Sequence, residues 1–372
     1  MILRPITGAR RKVRAGTFWL ALYAGACAAG CQTVSQELTN WQMLGQEALD
    51  DPIKAVGGDG IVFSPSGDDR PRDRAQTAKA SPAELVAYYA PVLIQQRVDT
   101  RAQSYPYPPE YDQLGRALLR REGKELKSVV AGRPTVYAIY EQATIDGRDR
   151  VQLTYTAWYP AHPRMKAIDL ESADIDSCVL RVTLDGDNAP VLYETIAACG
   201  CFHKVFVAKW VEEAAGRQYG PPEKGKKLAV ERAVKDDIDW DVAGVVDEPR
   251  DRPRRPVVFL KAGDHKVIGV GSMARLRVRP GADTRTYALA DYADLYSVPV
   301  AGTNETAAFF DLDHGGKVRG AERKERFIFS VIGVDAAGQP RANDQIKLHF
   351  DQSTWGDRTI YTRFLRLPTG VP

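Results

Sequence analysis

After Pro134 the apolar and polar residues begin to alternate, and this period of two predicts β-strands. Thr135–Thr144 and Val151–Tyr159 both follow the pattern, and Asp146-Gly147 lies between them. Side chains on a strand point to opposite faces in turn, so a strand of this kind is half buried. Because Asp-Gly is typical of a two-residue hairpin turn, the sequence predicts an antiparallel hairpin here.

A second pair of strands is predicted over Cys178–Leu184 and Val191–Val207, with a turn rich in Asp and Gly between them. Val191–Val207 is taken as one long strand. In one register the numbers of paired residues add up to 375, and Cys178 lies opposite Ala197. A register shifted by two residues would place Cys178 opposite Cys199 instead.

Few segments have the spacing of a helix. Thr33–Leu49 and Ala208–Tyr219 do, and Ser81-Pro82-Ala83-Glu84 has the form of a capping box that begins a helix. The C-terminal strands are predicted over Val257–Leu260, Val267–Val270, Ala274–Val278, Phe327–Val334, Ile346–Phe350 and Thr359–Leu367. The predicted fold class is therefore α+β, with a mainly antiparallel β-sheet body and a few helices.

Composition divides the chain into four parts. Residues 1–30 are predicted to be a signal peptide, and residues 31–80 a tether with an N-terminal helix. Residues 81–245 form the predicted sheet domain with a cluster of Cys and His. Residues 256–372 form a mainly β part, which can belong to the same domain. Stretches rich in Gly, Pro and charge mark the boundaries.

The first thirty residues are basic and then apolar. Met1–Arg14 holds five basic residues, and the sixteen residues of Ala15–Gly30 hold no charge. As a helix this apolar stretch would rise only about 24 Å, short of the roughly 30 Å of a bilayer core. The pattern is typical of an export signal. An uncleaved anchor and a chance apolar start are the alternatives.

This signal ends in Ala28-Ala29-Gly30-Cys31, which resembles the lipobox of bacterial lipoproteins, with Ala28 where Leu is more usual. The resemblance implies cleavage before Cys31 and acylation of Cys31, which would hold the protein on a membrane. Gln32 rather than Asp follows, which in such lipoproteins implies the outer membrane, here facing the periplasm. The implied partners are the membrane, through the lipid anchor, and other proteins of the envelope.

The net charge argues against a nucleic-acid partner. The formal charge of +3 comes from 51 Lys and Arg and 48 Asp and Glu, and five of the basic residues lie in the first thirty positions, which hold no acidic residue. The rest of the chain therefore has a net charge of about −2 and no basic field that would attract a polyanion.

The densest group of soft metal ligands is Cys199, Cys201 and His203, at every second position of the predicted strand Val191–Val207. On a strand these side chains would point to one face, and Gly200 would permit a close approach to the backbone. Two thiolates and an imidazole suit Zn²⁺ or copper, because soft ligands select soft or borderline ions. The sequence thus predicts a metal site here.

The sequence does not decide the fourth ligand of this site, nor between a metal site and two alternatives. Cys178 or His162 is a candidate fourth ligand; with three protein ligands, the fourth position would be free for a reactive water. A disulfide is the first alternative, because exported cysteines tend to pair, and Cys178–Cys199 and Cys178–Cys201 are the candidate bonds. The second alternative is that the cysteines are small apolar groups of the core.

Four segments of the body resemble a group of uncharacterised bacterial exported proteins. They are Gln152–Pro160 (QLTYTAWYP), Arg181–Leu184 (RVTL), Cys199–His203 (CGCFH) and Arg319–Phe327 (RGAERKERF). The likeness covers roughly the middle half of the chain, and Ala197 stands where a further His is common. It implies a site shared with that group, centred on the Cys-Gly-Cys-aromatic-His motif, with no activity assigned to it.

Two further segments are rich in carboxylates. Asp311, Asp313 and Glu322 match ligand positions of an EF-hand calcium loop, but Gly315 occupies another, and a glycine turn is the favoured interpretation. Asp169–Asp176 holds four acidic residues that can serve acid–base chemistry, although a solvated acidic loop is favoured. His265, in a predicted hairpin turn, is expected to be solvated as well.

The sequence therefore favours a lipid-anchored envelope protein that binds a metal or cofactor. The alternatives are a structural or interaction lipoprotein with disulfide-bonded or buried cysteines, and a metal-assisted hydrolase. The sequence contains no nucleophile elbow, no phosphate-binding loop and no His-Glu-x-x-His motif. The sequence does not decide between an enzyme and a binding protein; the interpretation leans toward a binding protein, and no catalytic residue is assigned.

Overall fold

The computed structural model describes residues 60–67, 72–234, 241–276, 281–332, 334, 337–348 and 353–371. Cys31 and the predicted helix Thr33–Leu49 lie outside these residues. Within them, no helix has the length and apolar character needed to cross a membrane.

Short strands dominate the described part of the chain. Those longer than two residues are β1 (Gly60–Pro65), β2 (Val92–Gln96), β3 (Arg116–Glu122), β4 (Glu125–Ala131), β5 (Thr135–Ile145), β6 (Arg148–Tyr159), β7 (Asp176–Leu184), β8 (Pro190–Ile196), β9 (Lys204–Ala208), β10 (Asp241–Val246), β11 (Pro256–Leu260), β12 (Val267–Ser272) and β13 (Asp283–Asp291). The α-helices are α1 (Arg74–Ala78), α2 (Pro82–Tyr88), α3 (Lys209–Tyr219), α4 (Glu325–Phe329) and α5 (Thr359–Phe364).

Eleven of these strands form one mixed sheet, in the order β10-β9-β8-β7-β6-β5-β13-β1-β2-β11-β12. Six neighbouring pairs are antiparallel and four are parallel. The predicted α+β class with a β-sheet body is confirmed, but the sheet is antiparallel only in part. Two of the parallel pairs arise because β13 inserts between β5 and β1, and the other two join β9 to β10 and β2 to β11. Alternation along one strand cannot reveal such pairings.

The predicted hairpin after Pro134 is confirmed. β5 and β6 pair up to Ile145 and Arg148, so that Asp146 and Gly147 form the two-residue turn. Both turn residues have positive φ, +54° and +70°, as the tight hairpin turn requires. The turn residues and the alternation on both sides indicate the same hairpin, which explains why the sequence was sufficient to predict it.

The strands β7 and β8 pair in the register in which residue numbers add up to 375, from Val179 with Ile196 to Thr183 with Leu192. A bulge then pairs Leu184 with Pro190. This register points Cys178 toward Ala197 rather than toward Cys199. Every residue of β7, β8 and β9 is buried, so these strands are covered on both faces.

The segment 31–80, predicted as a tether, contributes β1 to the interior of the sheet. Ile61, Val62 and Phe63 are buried between β13 and β2. The capping box at Ser81 begins α2 as predicted, with the Ser81 hydroxyl accepting from the backbone N–H of Glu84. The C-terminal strands β11–β13 belong to the same sheet as β5–β10, so sheet pairing joins the two predicted β parts.

Two predicted C-terminal strands contain helix instead. Phe327–Val334 contains α4 and a 3₁₀ turn, Ser330–Ile332, and Thr359–Leu367 contains α5. An apolar run of this length fits a helix as well as a strand. In α5 the buried residues Ile360, Tyr361 and Phe364 share one helical face. Two other predicted strands, Ala274–Val278 and Ile346–Phe350, lie in no strand over their described residues, 274–276 and 346–348, and the rest of each lies outside the described residues.

Two groups of buried apolar side chains pack on the sheet. One contains Trp158, Val179, Ile196, Phe309, Phe310 and Trp355, and the other contains Val191, Val205, Val207, Ile360, Tyr361 and Phe364. C-terminal residues contribute to both groups. The C-terminal part therefore covers β7–β9 and the connection that carries the cysteines.

Candidate functional site: a buried thiol and carboxylate cluster

The cysteines lie in a hairpin connection, not on a strand. β8 ends at Ile196 and β9, antiparallel to it, begins at Lys204. The backbone N–H of Ala197 donates to the carbonyl of Cys201 at 3.0 Å, and that of Gly200 donates to the carbonyl of Ala197 at 2.8 Å. The prediction of one strand over Val191–Val207 is therefore wrong, because the chain reverses at the Cys-Gly-Cys motif.

Two residues with positive φ explain the reversal. Gly200 has φ +87° and Phe202 has φ +58°. Glycine adopts this region freely, whereas an aromatic residue there is uncommon. A single glycine between alternating residues gives no clear turn signal, so the pattern of the sequence does not distinguish the turn from a strand.

Cys199 and Cys201 converge with Glu325. Their two sulfurs and one carboxylate oxygen all lie within 4.8 Å of one another, and all three residues are buried. The Sγ atom of Cys201 is 3.7 Å from Oε1 of Glu325. Burial raises the pKa of the Cys201 thiol. Glu325 comes from the first turn of α4, whose start is fixed by a hydrogen bond from the Glu325 N–H to the carbonyl of Leu170 at 2.9 Å.

A buried guanidinium lies beside the two thiols. Nη1 of Arg323 is 3.9 Å from Sγ of Cys201, and Nη2 donates to Oδ1 of Asp176 at 2.7 Å. Burial alone would lower the pKa of Arg323, but the neighbouring thiols and carboxylates hold it well above its ordinary value. The side chain is thus a fixed positive charge next to the cluster.

His203 does not join this cluster, contrary to the expected common face. Its Nε2 atom lies 3.2 Å from Oε1 of Glu194. Glu194 also accepts two hydrogen bonds from Arg181, at 2.9 and 2.7 Å, and one from the hydroxyl of Tyr361. Because Gly200 and Phe202 break the alternation, His203 points away from the sulfurs and into this second network.

Neither candidate fourth ligand, Cys178 or His162, joins the cluster. Cys178 is buried on β7, and burial followed by the charge of Asp176 raises its pKa to about 12, so it is a neutral thiol. Nδ1 of His162 lies 3.0 Å from Oδ2 of Asp176. Neither residue belongs to the group of Cys199, Cys201 and Glu325.

Asp176 is the centre of a buried charge network next to the cluster. Its Oδ2 atom lies 3.0 Å from Nδ1 of His162 and 3.0 Å from Nδ1 of His265. The ring of Tyr159 stacks on that of His265 with centroids 3.8 Å apart. The expectation that His265 is solvated is wrong, since only 2% of it is exposed. The acidic loop is likewise buried at Asp169 and Asp176.

The charges of this network stabilise one another. Burial works against ionisation of Asp176, but Arg323 and His162 hold its pKa well below the ordinary value. Burial also works against protonation of His265, yet its hydrogen bonds to Asp112 and Asp176 raise its pKa to about 9. At neutral pH the network therefore contains an ionised carboxylate between cationic groups.

Two cavities of the described structure lie outside the cluster of Cys199, Cys201 and Glu325. A cavity of about 10 Å³, the size of one water molecule, is bounded by Cys178, His265, Lys266 and Arg323 among others. A larger cavity of about 630 Å³ is lined by Arg72, Lys79 and other residues of the α1–α2 region and contains no residue of the cluster. Neither of these two cavities is lined by Cys199, Cys201 or Glu325.

The carboxylates of the EF-hand-like segment pair with cations. Oδ2 of Asp311 is 2.9 Å from Nδ1 of His314 and 3.4 Å from Nη1 of Arg319, and Glu322 pairs with Arg326. In the described part of the chain, Asp311, Asp313 and Glu322 do not converge within 4.8 Å. Gly315 adopts a left-handed conformation between two short paired strands, which fits the glycine turn.

Sequence reasoning missed Glu325, Arg323 and the central role of Asp176. Glu325 and Cys201 are 124 residues apart, so no local spacing connects them. One signal was present: both Arg323 and Glu325 fall in Arg319–Phe327, a segment that carries the resemblance to the exported proteins.

No protein-family model matches the chain, and neither a curated protein nor a solved structure matches it.

Proposed function

We propose that the protein binds a divalent metal ion through Cys199, Cys201 and Glu325, and that it does so as a lipid-anchored protein of the cell envelope. The convergence of three buried ligand atoms within 4.8 Å carries the metal proposal. Tetrahedral Zn–S bonds of about 2.3 Å bring two sulfurs to about 3.8 Å from each other, so only a small closure of the cluster is needed.

Charge balance supports this proposal. Binding requires both thiols to lose their protons, so a divalent ion replaces two protons and the net charge of the cluster does not change. The N–H groups of Arg323 can donate to the thiolates, since Nη1 already lies 3.9 Å from Cys201 Sγ. Zn²⁺ fits better than Cu⁺, because Glu325 is a hard oxygen ligand and Cu⁺ prefers sulfur.

A metal titration of the purified protein tests the ligand set. We expect about one Zn²⁺ per chain in the wild type, almost none in Cys199→Ser, and affinity reduced about tenfold or more in Glu325→Gln. Cys178→Ser is the matched control and keeps the metal, because Cys178 lies outside the group of three. His203→Gln keeps it too, since His203 faces Glu194.

Equal metal content in the wild type and in Cys199→Ser would contradict the site. Loss of metal in His203→Gln, as complete as in Cys199→Ser, would contradict this ligand set in favour of Cys199, Cys201 and His203. The choice between a binding protein and a metal-assisted hydrolase rests on whether a reactive water occupies the fourth metal position. A structural lipoprotein is the alternative if no metal binds.

The membrane anchor is tested on the mature N-terminus. We expect mass spectrometry of protein from the membrane fraction to find Cys31 as the first residue, with acyl chains attached, because the lipobox-like Ala28–Cys31 ends the apolar signal. Cys31→Ala should remain unprocessed. A mature chain with an unmodified Cys31 would contradict the anchor without affecting the metal site.

A further inference from the structure

Cys199 and Cys201 are placed to bond to each other. One residue separates them, and their sulfurs lie within 4.8 Å of each other. Gly200, with φ +87°, turns the backbone so that both side chains point to the same place. A disulfide needs its two Cα atoms within about 7 Å, a condition that residues i and i+2 meet even in an extended chain.

The neighbouring charges suit thiol chemistry. Oε1 of Glu325 is 3.7 Å from the Cys201 sulfur and can accept its proton. Nη1 of Arg323, 3.9 Å from the same sulfur, favours the thiolate, whereas the burial of Cys201 favours the neutral thiol. Cys201 is 7% exposed and Cys199 is 2% exposed, so Cys201 is the more accessible of the two.

We propose that Cys199 and Cys201 are a dithiol that exchanges with external disulfides and is converted to a Cys199–Cys201 disulfide. This activity needs the two thiols and not a bound metal, so it stands apart from the proposed metal binding. The substrate class is a disulfide, either in a small molecule such as oxidised glutathione or in a partner protein.

The exchange proceeds in two balanced steps. Cys201 gives its proton to Glu325, and its thiolate attacks one sulfur of the external disulfide, whose S–S bond breaks and releases one thiolate. Cys199 then attacks the Cys201 sulfur of the mixed disulfide and releases the second thiolate. The two cysteine protons end on the released thiolates, so the cysteines lose two electrons and the external disulfide becomes two thiols.

Cys178 is not the partner in this bond. The register of β7 and β8 directs it toward Ala197, and it lies outside the group formed by Cys199, Cys201 and Glu325. The proposed disulfide therefore joins Cys199 to Cys201 and is neither of the cross-strand bonds Cys178–Cys199 and Cys178–Cys201.

The test uses the full mature protein after removal of metal with a chelator, incubated in glutathione buffers of increasing oxidised fraction. Thiols are then blocked, the protein is unfolded and digested, and the peptides are identified by mass spectrometry. We expect a peptide with Cys199 bonded to Cys201, two hydrogens lighter than the reduced form, while Cys178 stays a thiol. Cys178→Ser should behave as the wild type, and Glu325→Gln should oxidise about tenfold more slowly.

Free Cys199 and Cys201 at the most oxidising ratio would overturn the proposal, and so would a bond from either residue to Cys178. A normal rate in Glu325→Gln would overturn the assigned proton acceptor. The oxidation test uses metal-free protein, so its outcome does not depend on whether the protein binds Zn²⁺. If the disulfide does not form, the metal titration can still show Zn²⁺ binding.

Discussion

Asp176→Asn is expected to lower the free energy of unfolding by about 3–5 kcal/mol, the range measured when one partner of a buried ion pair is removed. Arg323 would keep a buried charge without its 2.7 Å carboxylate partner, and His162 and His265 would lose the shared oxygen at 3.0 Å. Chemical denaturation at pH 7 measures the loss. Asp174→Asn is the matched control: Asp174 is 64% exposed and pairs with Lys127, so we expect less than about 1 kcal/mol.

The same variant should have an altered pH dependence. The pKa of His265 is raised from 6.5 to about 9 in the folded protein, so its contribution to stability is complete below pH 6.5 and is lost as the pH rises through 9. The lowered pKa of Asp176 has the opposite pH dependence. Its contribution to the stability of the folded protein is present above pH 3.8 and is lost as the pH falls further below that value. Unfolding free energies at pH 6, 7.5 and 9 should fall for the wild type and fall less for Asp176→Asn. Parallel curves would contradict the assigned pairing.

Glu194→Gln is expected to destabilise the protein by a similar amount, about 3–5 kcal/mol, because Arg181 would keep its buried charge. The fully buried carboxylate accepts two hydrogen bonds from Arg181 and faces His203, and despite its burial these two residues lower its pKa to about 2. Arg181 also lies over the ring of Trp355 at 3.9 Å. The measurement is again the midpoint of chemical denaturation.

A control variant and a double variant test whether the effect of Glu194→Gln comes from its pairing with Arg181. Glu141→Gln, at a 43% exposed carboxylate that pairs with Arg358 at 3.5 Å, should cost less than about 1 kcal/mol. The double variant Arg181→Met, Glu194→Leu should lose less stability than the sum of the single changes, since it leaves no unpaired charge. Additive losses would contradict a direct pairing of these two residues.

Local chemistry made parts of the fold predictable. Asp146-Gly147 carries a turn signal that agrees with the alternation on both sides. For β7 and β8 the alternation left two registers open, and the structure has the one that sums to 375. The apolar run at Phe327 was less informative: Phe327 is 70% exposed on a short helix, so its apolar character does not report on burial in a sheet. Helix and strand are nearly equal in propensity over such short runs.

The site was predictable only in its centre. Cys199 and Cys201 do converge, but the partners that converge with them come from another part of the chain. Glu325, in α4, and Arg323, just before it, reach the thiols through tertiary packing. His203 was misplaced because Gly200 and Phe202, both with positive φ, break the alternation. The spacing of residues along a sequence predicts which side chains share a face only where the backbone is a regular strand or helix.

The insertion of β13 between β5 and β1 also sets an order of assembly. β5 ends at Ile145, whereas β13 begins at Asp283, so the two flanks of the sheet cannot join until that late segment has been synthesised. Pairings between such distant segments close large loops and form slowly. Until then the two flanks of the sheet have open edges, so the unfinished chain is exposed to aggregation until its last quarter, from Asp283 onward, has been synthesised.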